Sequence, residues 1–327
     1  MNNLVLIQQI IEKRPLYSLF NRPEVELLLQ GVTLENTPWR GEPSSKSLRI
    51  KSSDINECSD LIRIFGLNER VFPSKFKKAI GGDGKEAPKI RTLHSSSLIS
   101  LLCFYDVSDT KPLRLVVDGR CISFTTSTFE EKNLVGIDET GKPHYSNIDV
   151  VLYGKDLASG NPVVLFLESK FSEYLTWGQY SMISNHVYKE TYSKLIANGC
   201  LGRMGLKFDD NPNEAGYSIL SSDKGKTRHY AGGIKQMVSH FIGIDKVSEA
   251  YRNKGYDVYL GEILFLFSSI DDGPKKFNDY LRLYDLLAVG LNDLSGAKFK
   301  VLDHCLSYQD VFCGFELDRG VRQFYAL

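Results

Sequence analysis

Residues 146–171 read SNIDVVLYGKDLASGNPVVLFLESKF, and this stretch is the most informative part of the sequence. Two apolar, β-branched runs are separated by a connector with two glycines and a proline, a composition typical of a hairpin between two strands. If the hairpin is symmetric about its loop, Asp149 on the first strand lies opposite Glu168 on the second. Directly opposed side chains have Cβ atoms about 4.5–5.5 Å apart. The stretch therefore predicts two strands that bring two carboxylates together.

Glu168 and Lys170 end the second strand, two residues apart and therefore on one face. They follow VVLFL, a run apolar on both faces and typical of a central strand, where a charge without a partner is costly. A divalent metal such as Mg²⁺ would relieve the repulsion between the carboxylates of Asp149 and Glu168. A structural ion pair with Lys170 is the alternative, since acid-x-Lys triplets are common on protein surfaces. The position of the triplet favours the metal site.

The chain around this hairpin alternates between strand-like and helical patterns. Strands are predicted over LRLVVDG, CISFTTSTFEE and DVYLGEILFLFSS, and helices over the run near Gly233 and over KKFNDYLRLYDLLAVGL. The segment AKFKVLDHCLSYQDVF is predicted to close as a strand and a short helix. Such alternation, with a strand pair in the middle, predicts an α/β layered domain with a mixed sheet flanked by helices.

Residues 1–110 have mostly helical sequence patterns, in contrast to the strand patterns that follow. They are interpreted as a helical extension packed on a core of residues 111–327. Helices are predicted over LVLIQQIIEK, EVELLLQG, DINECSDLIRIFGL and HSSSLISLLCFYDV, with loops at TPWRGEPSSKS and GGDGKEAPK. Within the core, residues 171–228 are expected to form an insertion. It is predicted to contain a long helix from about Thr176 to Ala197 and an irregular stretch, GLKFDDNPNEAGYS.

The amino-acid composition limits the classes of protein to which the chain can belong. The 327 residues include 40 Lys+Arg and 40 Asp+Glu, so the strongly basic composition of many nucleic-acid-binding domains is absent. The balance is uneven along the chain, because residues 70–91 contain seven basic and two acidic residues. The six cysteines are scattered without metal-ligand spacing, and no run approaches the length of a membrane span. We therefore expect a soluble, cytoplasmic protein with reduced thiols and no membrane partner.

The order of these residues resembles the PD-(D/E)XK nuclease superfamily, particularly its bacterial members. Asp149, a hairpin-length gap and Glu168-Ser-Lys170 at the end of an apolar strand match its motif, and the resemblance is clearest over residues 113–268. The superfamily often has an acid upstream, for which TFEEKNLV offers two, and a Gln on a downstream helix, for which GGIKQMVSHF offers Gln236. Two features depart from the pattern: no proline directly precedes Asp149, and nearly 60 residues separate Lys170 from the Gln helix.

The resemblance implies a restriction-endonuclease-like core and metal-dependent hydrolysis of phosphodiester bonds, in DNA rather than RNA. It implies one or two Mg²⁺ ions, for which Mn²⁺ would substitute. Lys170 would orient the attacking water or stabilise the transition state, and Gln236 would position Lys170 or contact the substrate. The residues to which it gives metal-binding or catalytic roles are Glu130 (with Glu131 as the alternative), Asp149, Glu168, Ser169 through its carbonyl, Lys170 and Gln236.

Alternatives stay open at this point. The chain could be a non-catalytic protein that keeps the nuclease fold for nucleic-acid binding or assembly, and a homodimer is compatible with either function. Gln236 could equally be an ordinary helix surface residue. His240, four residues after Gln236 and on the same helix face, could reach the site, but a satisfied core or surface histidine is favoured.

Overall fold

The computed structural model describes most of the chain, with short gaps. The described residues are 17–38, 46–50, 57–81, 90, 92–172, 182–183, 186–204, 206–211, 216–221, 231–267, 273–296 and 298–327. The helices are α1 (Tyr17–Phe20), α2 (Pro23–Leu28), α3 (Glu57–Phe65), α4 (Phe72–Ile80), α5 (Ser96–Phe104), α6 (Lys189–Ala197), α7 (Cys200–Arg203), α8 (Ala231–Arg252), α9 (Gly273–Ser295), α10 (Tyr308–Phe312) and α11 (Arg319–Tyr325). The strands are β1 (Leu34–Pro38), β2 (Lys46–Ile50), β3 (Leu113–Val117), β4 (Arg120–Ile137), β5 (Pro143–Asp156), β6 (Pro162–Lys170), β7 (Met182–Ile183), β8 (Leu206–Asn211), β9 (Gly216–Ser221), β10 (Asp257–Leu264), β11 (Lys300–Val301) and β12 (Leu306–Ser307).

The central element is an open seven-stranded mixed sheet. Its strand order is β11-β10-β6-β5-β4-β3, with β12 also paired to β10. Strands β3 to β6 form an antiparallel meander, whereas β10 runs parallel to β6, β11 and β12. The predicted α/β class with a mixed sheet is confirmed. The assignment to a restriction-endonuclease-like core stays a prediction.

The β5–β6 hairpin has the symmetric register that the sequence predicted. The pairing runs from Lys155↔Pro162 to Val150↔Leu167, so Asp149 and Glu168 occupy the next rung. Beyond that point β5 continues along β4 as far as Pro143, while β6 continues along β10 as far as Lys170. The two strands therefore part at Asp149 and Glu168. We call this point the fork.

Helices cover both faces of the sheet, each over its own hydrophobic cluster. On one face, helices α1 to α5, α10 and α11 contribute to a cluster that includes Phe104, Phe124, Leu165 and Phe324. On the other face, α6 to α9 pack with strand residues such as Phe166. None of the helices in the described part of the chain combines the length and apolar character that a membrane crossing requires.

Most of the predicted elements are present. Helices form within EVELLLQG, DINECSDLIRIFGL and HSSSLISLLCFYDV, and Gly66 ends α3 in a left-handed conformation with φ of 66°, as expected for a C-terminal glycine. Both predicted helices after residue 230 and the closing strand–helix segment are also confirmed. The first predicted helix, LVLIQQIIEK, and most of GGDGKEAPK lie outside the described residues.

Three local predictions were wrong because strand pairing overrides local pattern. The long helix over Thr176–Ala197 does not form as predicted: Met182 and Ile183 pair with β9, and α6 begins only at Lys189. The stretch GLKFDDNPNEAGYS contains the paired strands β8 and β9 instead of irregular backbone. Parts of TPWRGEPSSKS belong to the β1–β2 pair. The partner of β7 lies far along the chain, whereas β1–β2 and β8–β9 pair with the next strand in sequence, and there the short, largely polar strands carry too little local pattern to be recognised.

Candidate active site at the fork

Asp149 lies where the backbone ladder between β5 and β6 ends. Its Oδ2 accepts a hydrogen bond of 2.7 Å from the backbone N–H of Ser169. At this position β5 and β6 no longer pair, so the Ser169 amide has no backbone acceptor on β5. The carboxylate of Asp149 accepts its hydrogen bond instead, and a buried backbone N–H group needs such a partner. Asp149 is half-buried and points toward the gap between the strands. The splitting of the sheet creates room for this side chain.

Glu168 sits on the other side of the fork and is almost fully enclosed by partners. Lys170 Nζ donates to its Oε1, and Gln236 Nε2 donates to the same oxygen at 2.9 Å. Gln236 Oε1 in turn accepts from Lys170 Nζ at 2.9 Å, which closes a three-membered ring of contacts. His240 Nε2 lies 2.8 Å from the remaining oxygen, Oε2. Helix α8 thereby supplies two side chains, one turn apart, to one carboxylate.

The two acids differ in how their ionisation is compensated. Burial alone would raise the pKa of Glu168, but the charges and hydrogen bonds of Lys170 and His240 outweigh it and lower this pKa to about 2. Burial also raises the pKa of Asp149, and there Glu168 and Glu130 raise it further, so that it lies well above its usual range. The cation of Lys170 and the Ser169 amide lower the pKa of Asp149 too little to compensate. Negative charge at the fork is therefore balanced at Glu168 and unbalanced at Asp149.

The structure distinguishes the two candidate upstream acids by their surroundings. Glu130 lies between the rungs that pair its neighbours with residues 150 and 148, so it is opposite Asp149 across the β4–β5 pair. Its φ of 51° is unusual for a residue with a side chain and marks a local distortion of β4. Glu131 instead accepts 3.3 Å hydrogen bonds from the hydroxyls of Tyr153 and Tyr251. Glu130 is therefore the upstream acid that faces the fork.

Ser169 joins the fork to the opposite face of the sheet. Its hydroxyl lies 2.7 Å from the hydroxyl of Tyr308 and donates to the carbonyl of Ser96 at 3.2 Å. These contacts tie the end of β6 to α5 and α10, so the strand end that carries Glu168 and Lys170 is fixed from both faces. The role of the Ser169 carbonyl as a metal ligand stays a prediction.

Two further residues lie at this site. His240, for which the sequence favours a core or surface position over a place in the site, is 3% exposed and contacts Glu168 directly. Glu262 on β10 pairs in parallel register with Glu168, is fully buried, and accepts a 2.8 Å hydrogen bond from the hydroxyl of Tyr280. The sequence contains the evidence for Glu262, because it is an acidic residue inside the apolar run DVYLGEILFLF. An acidic residue next to an apolar run is also what identified Glu168.

The donor set fits one divalent cation on the Asp149 side of the fork better than a two-ion centre. A carboxylate has about four acceptor positions. Glu168 uses two on Oε1 and one on Oε2 for the partners described above, which leaves one position among the described residues. Asp149 uses one position on Oδ2, and the acids around it favour an added positive charge. Within the described ranges, however, no group of three or more His, Cys, Asp and Glu side chains is arranged to hold a metal ion.

Comparison with known proteins adds no family to this geometry. No family model, no curated protein and no solved structure matches the chain.

Proposed function

We propose that the protein is a metal-dependent nuclease that hydrolyses phosphodiester bonds, in DNA rather than RNA, at the fork. The observation that carries the proposal is the convergence of Asp149, Glu168 and Lys170 where β5 and β6 separate, with negative charge left unbalanced at Asp149. A carboxylate whose ionisation is disfavoured by its neighbours is typical of functional sites. A restriction-endonuclease-like core, the fold implied by the same motif, is part of this proposal.

The side chains of the fork have separate tasks in this reaction. Asp149 would bind one Mg²⁺, or Mn²⁺ in its place, together with the free acceptor position of Glu168, and the negative charge of Glu130 opposite Asp149 would strengthen that binding. When bound, such an ion lowers the pKa of a coordinated water and balances charge on the phosphate. Lys170 is fixed by Glu168 and Gln236, so its ammonium group would stabilise the charge of the pentavalent phosphate without reorganising. His240 and Gln236 hold Glu168 and Lys170 in position.

Cleavage of labelled DNA oligonucleotides with Mg²⁺ or Mn²⁺ tests the proposal. Asp149→Asn and Lys170→Met should each reduce the rate by about 10²–10³-fold, the usual effect of removing one preorganised charge from an active site. Glu190→Gln is the matched control, because this exposed acid on α6 pairs only with the nearby Lys194 among the described residues. Equal cleavage by wild type and all three variants would locate the activity elsewhere or in a contaminant. No cleavage by wild type across metals and substrates would reject the nuclease proposal.

A second function is favoured by one observation, the closed set of contacts around Glu168. Glu168 and Lys170 have side chains only 4% and 2% exposed, and their contacts satisfy each other. Such an arrangement is compatible with a non-catalytic protein that keeps the ion pair for structure and uses the fold for nucleic-acid binding or assembly. In that case Mn²⁺ should not bind at millimolar concentration, whereas the nuclease proposal requires that it does.

A further inference from the structure

Strands β4 and β5 extend beyond the sheet as a two-stranded ribbon, which we call the arm and define as residues 130–149. Beyond the fork, β5 no longer pairs with β6, so the arm continues as a pair of strands with the rungs Lys132↔Asn147 and Leu134↔Tyr145. The two faces of such a ribbon carry alternate residues of each strand. They differ sharply in burial.

The inner face of the arm packs on α8 and is rigidly held. Its residues Asn133, Val135, Ser146 and Ile148 are all buried. A Cβ atom added to Gly243 of α8 would lie 2.6 Å from the hydroxyl oxygen of Ser146, and Lys246 of α8 donates a hydrogen bond to the carbonyl of Val135. The arm is therefore a fixed part of the fold.

The outer face is open and runs along β5 toward Asp149, whereas Glu168 and Lys170 contact α8 and lie toward the other face. Lys132 is exposed, and Leu134 and Tyr145 are 37% and 52% exposed. Continuing the alternation along β5 from Tyr145 through residue 147 leads to Asp149. Same-face residues of a strand are about 6.6–6.8 Å apart, so the Leu134–Tyr145 rung is about 13 Å from Asp149. Along the strands, an apolar rung and a polar rung with a cation therefore precede Asp149.

A second set of cations flanks the same region. Helix α4 packs beside β4, and Lys75 Nζ donates to the carbonyl of Ser127 at 2.6 Å, three residues before Glu130. Lys77 and Lys78 of this helix are exposed. These lysines belong to the basic segment of residues 70–91. The acidic residues Asp138 and Glu139 lie at the tip of the arm, beyond the apolar rung.

We infer that the outer face of the arm binds a single-stranded nucleic acid and guides it toward Asp149. The inference rests on the proposed nuclease function, which makes nucleic acid the ligand. Tyr145 beside Leu134 forms an apolar platform on which a base stacks, and Lys132 contacts the adjoining phosphate. The bases of a duplex stack on one another and do not present their faces to such a platform. The arm therefore selects unpaired strands over paired ones.

Fluorescence anisotropy with a labelled oligothymidine and a matched duplex, both in EDTA, tests the inference without cleavage. Wild type should bind the single strand more tightly than the duplex. Tyr145→Ala should weaken single-strand binding about 5- to 150-fold, the range for loss of one base–aromatic stack, while Tyr145→Phe should keep the affinity within about twofold. Lys132→Ala should reduce the slope of log affinity against log salt by about 0.7.

Two matched controls lie at the other end of the same hairpin. Leu157, 49% exposed, is the counterpart of Leu134, and the exposed Lys155 is the counterpart of Lys132. Leu157→Ala and Lys155→Ala should bind like wild type, whereas Leu134→Ala should weaken binding. Tyr145→Phe and a thermal melt of every variant exclude loss of folding as the cause.

The failure of this inference is distinguishable from the failure of the nuclease proposal. Tighter binding of the duplex, no binding of the single strand, or equal binding by Tyr145→Ala and wild type would overturn the role of the arm. If cleavage persists in that event, the nuclease proposal stands alone. If the predicted binding pattern appears but wild type cleaves nothing with Mg²⁺ or Mn²⁺, the arm binds nucleic acid and the nuclease proposal fails.

Discussion

Asp149 and Glu168 occupy the same rung of one hairpin, yet their surroundings are opposite. Glu168 has contacts on both oxygens, including Lys170 and His240, and its pKa is lowered to about 2. Asp149 binds one backbone amide, and burial and two neighbouring acids raise its pKa. The fork therefore combines a balanced ion pair at Glu168 with a carboxylate at Asp149 whose charge its neighbours disfavour. The first is compensated by groups of the protein itself, whereas the charge of the second would be compensated by a bound proton or by the cation of the proposed metal site.

The largest expected effect comes from removing the cation that balances Glu168. Lys170→Met leaves a buried carboxylate without its main partner, which typically costs about 3–5 kcal/mol. The double variant Glu168→Gln/Lys170→Met should recover most of that loss, because no charge remains buried. Urea denaturation of the single and double variants measures both effects. Equal destabilisation in single and double variants would contradict the ion pair.

The acid dependence of stability should follow Glu168. Its pKa is lowered in the folded state, so its contribution is present above about pH 4.5 and is lost as the pH falls toward 2. The change from 4.5 to about 2 corresponds to about 3 kcal/mol. Unfolding free energies of wild type and Glu168→Gln should therefore differ at pH 6 and converge near pH 2. A difference that stays constant over this range would show that Glu168 stabilises the fold by packing alone.

Asp149 should behave in the opposite way. Its pKa in the folded state is raised above 3.8, so its contribution to stability is present at low pH and is lost as the pH rises through the folded value. Asp149→Asn should stabilise the metal-free protein at pH 7 by about 0.5–2 kcal/mol, since the amide oxygen still accepts from Ser169.

Asp156, at the far end of the same strand, provides the control for Asp149. Its pKa is lowered by backbone and side-chain hydrogen bonds from residues 158 and 159, and by Arg120. Asp156→Asn should therefore destabilise the protein at pH 7, the opposite sign to Asp149→Asn. Thermal melts of the two variants without added metal give this comparison, and destabilisation by both would contradict the unbalanced charge at Asp149.

The smallest effect is expected at Glu131. Its contacts are two long hydrogen bonds from Tyr153 and Tyr251, and a glutamine retains an acceptor for one of them. Glu131→Gln should change stability by about 0.5–1.5 kcal/mol at most, the usual net contribution of a hydrogen bond. It should leave Mn²⁺ affinity unchanged, whereas Glu130→Gln should weaken it. Calorimetric titration of both variants would show whether the upstream acid has been assigned correctly.

The sequence predicted the local parts of this site and missed the parts that other elements supply. The register of the hairpin follows from its symmetric loop, so the proximity of Asp149 and Glu168 could be predicted. The fork could not, because it arises when β5 follows β4 and β6 follows β10. The contact between His240 and Glu168 depends on how α8 crosses the sheet.

The same distinction between local and distant determinants applies to the helices and strands of the fold. Elements with a clear local pattern were predicted, such as the amphipathic α3, which ends at Gly66, and α5, whose apolar run is buried almost throughout. The three-stranded sheet of β7, β9 and β8 was not, because Met182 pairs with Ser218, a partner distant in sequence. Short apolar runs inside an insertion carry too little pattern to choose between helix and strand without that partner.

Calorimetric titration of Mn²⁺ into the metal-free protein at pH 7 measures whether the charge at Asp149 is left for a cation to balance. Wild type should bind one ion at sub-millimolar concentration, and the same titration should give no binding for Asp149→Asn, although that variant is the more stable protein without metal. The unbalanced charge at Asp149 would be contradicted if wild type binds no ion at millimolar Mn²⁺, or if Asp149→Asn binds as tightly as wild type.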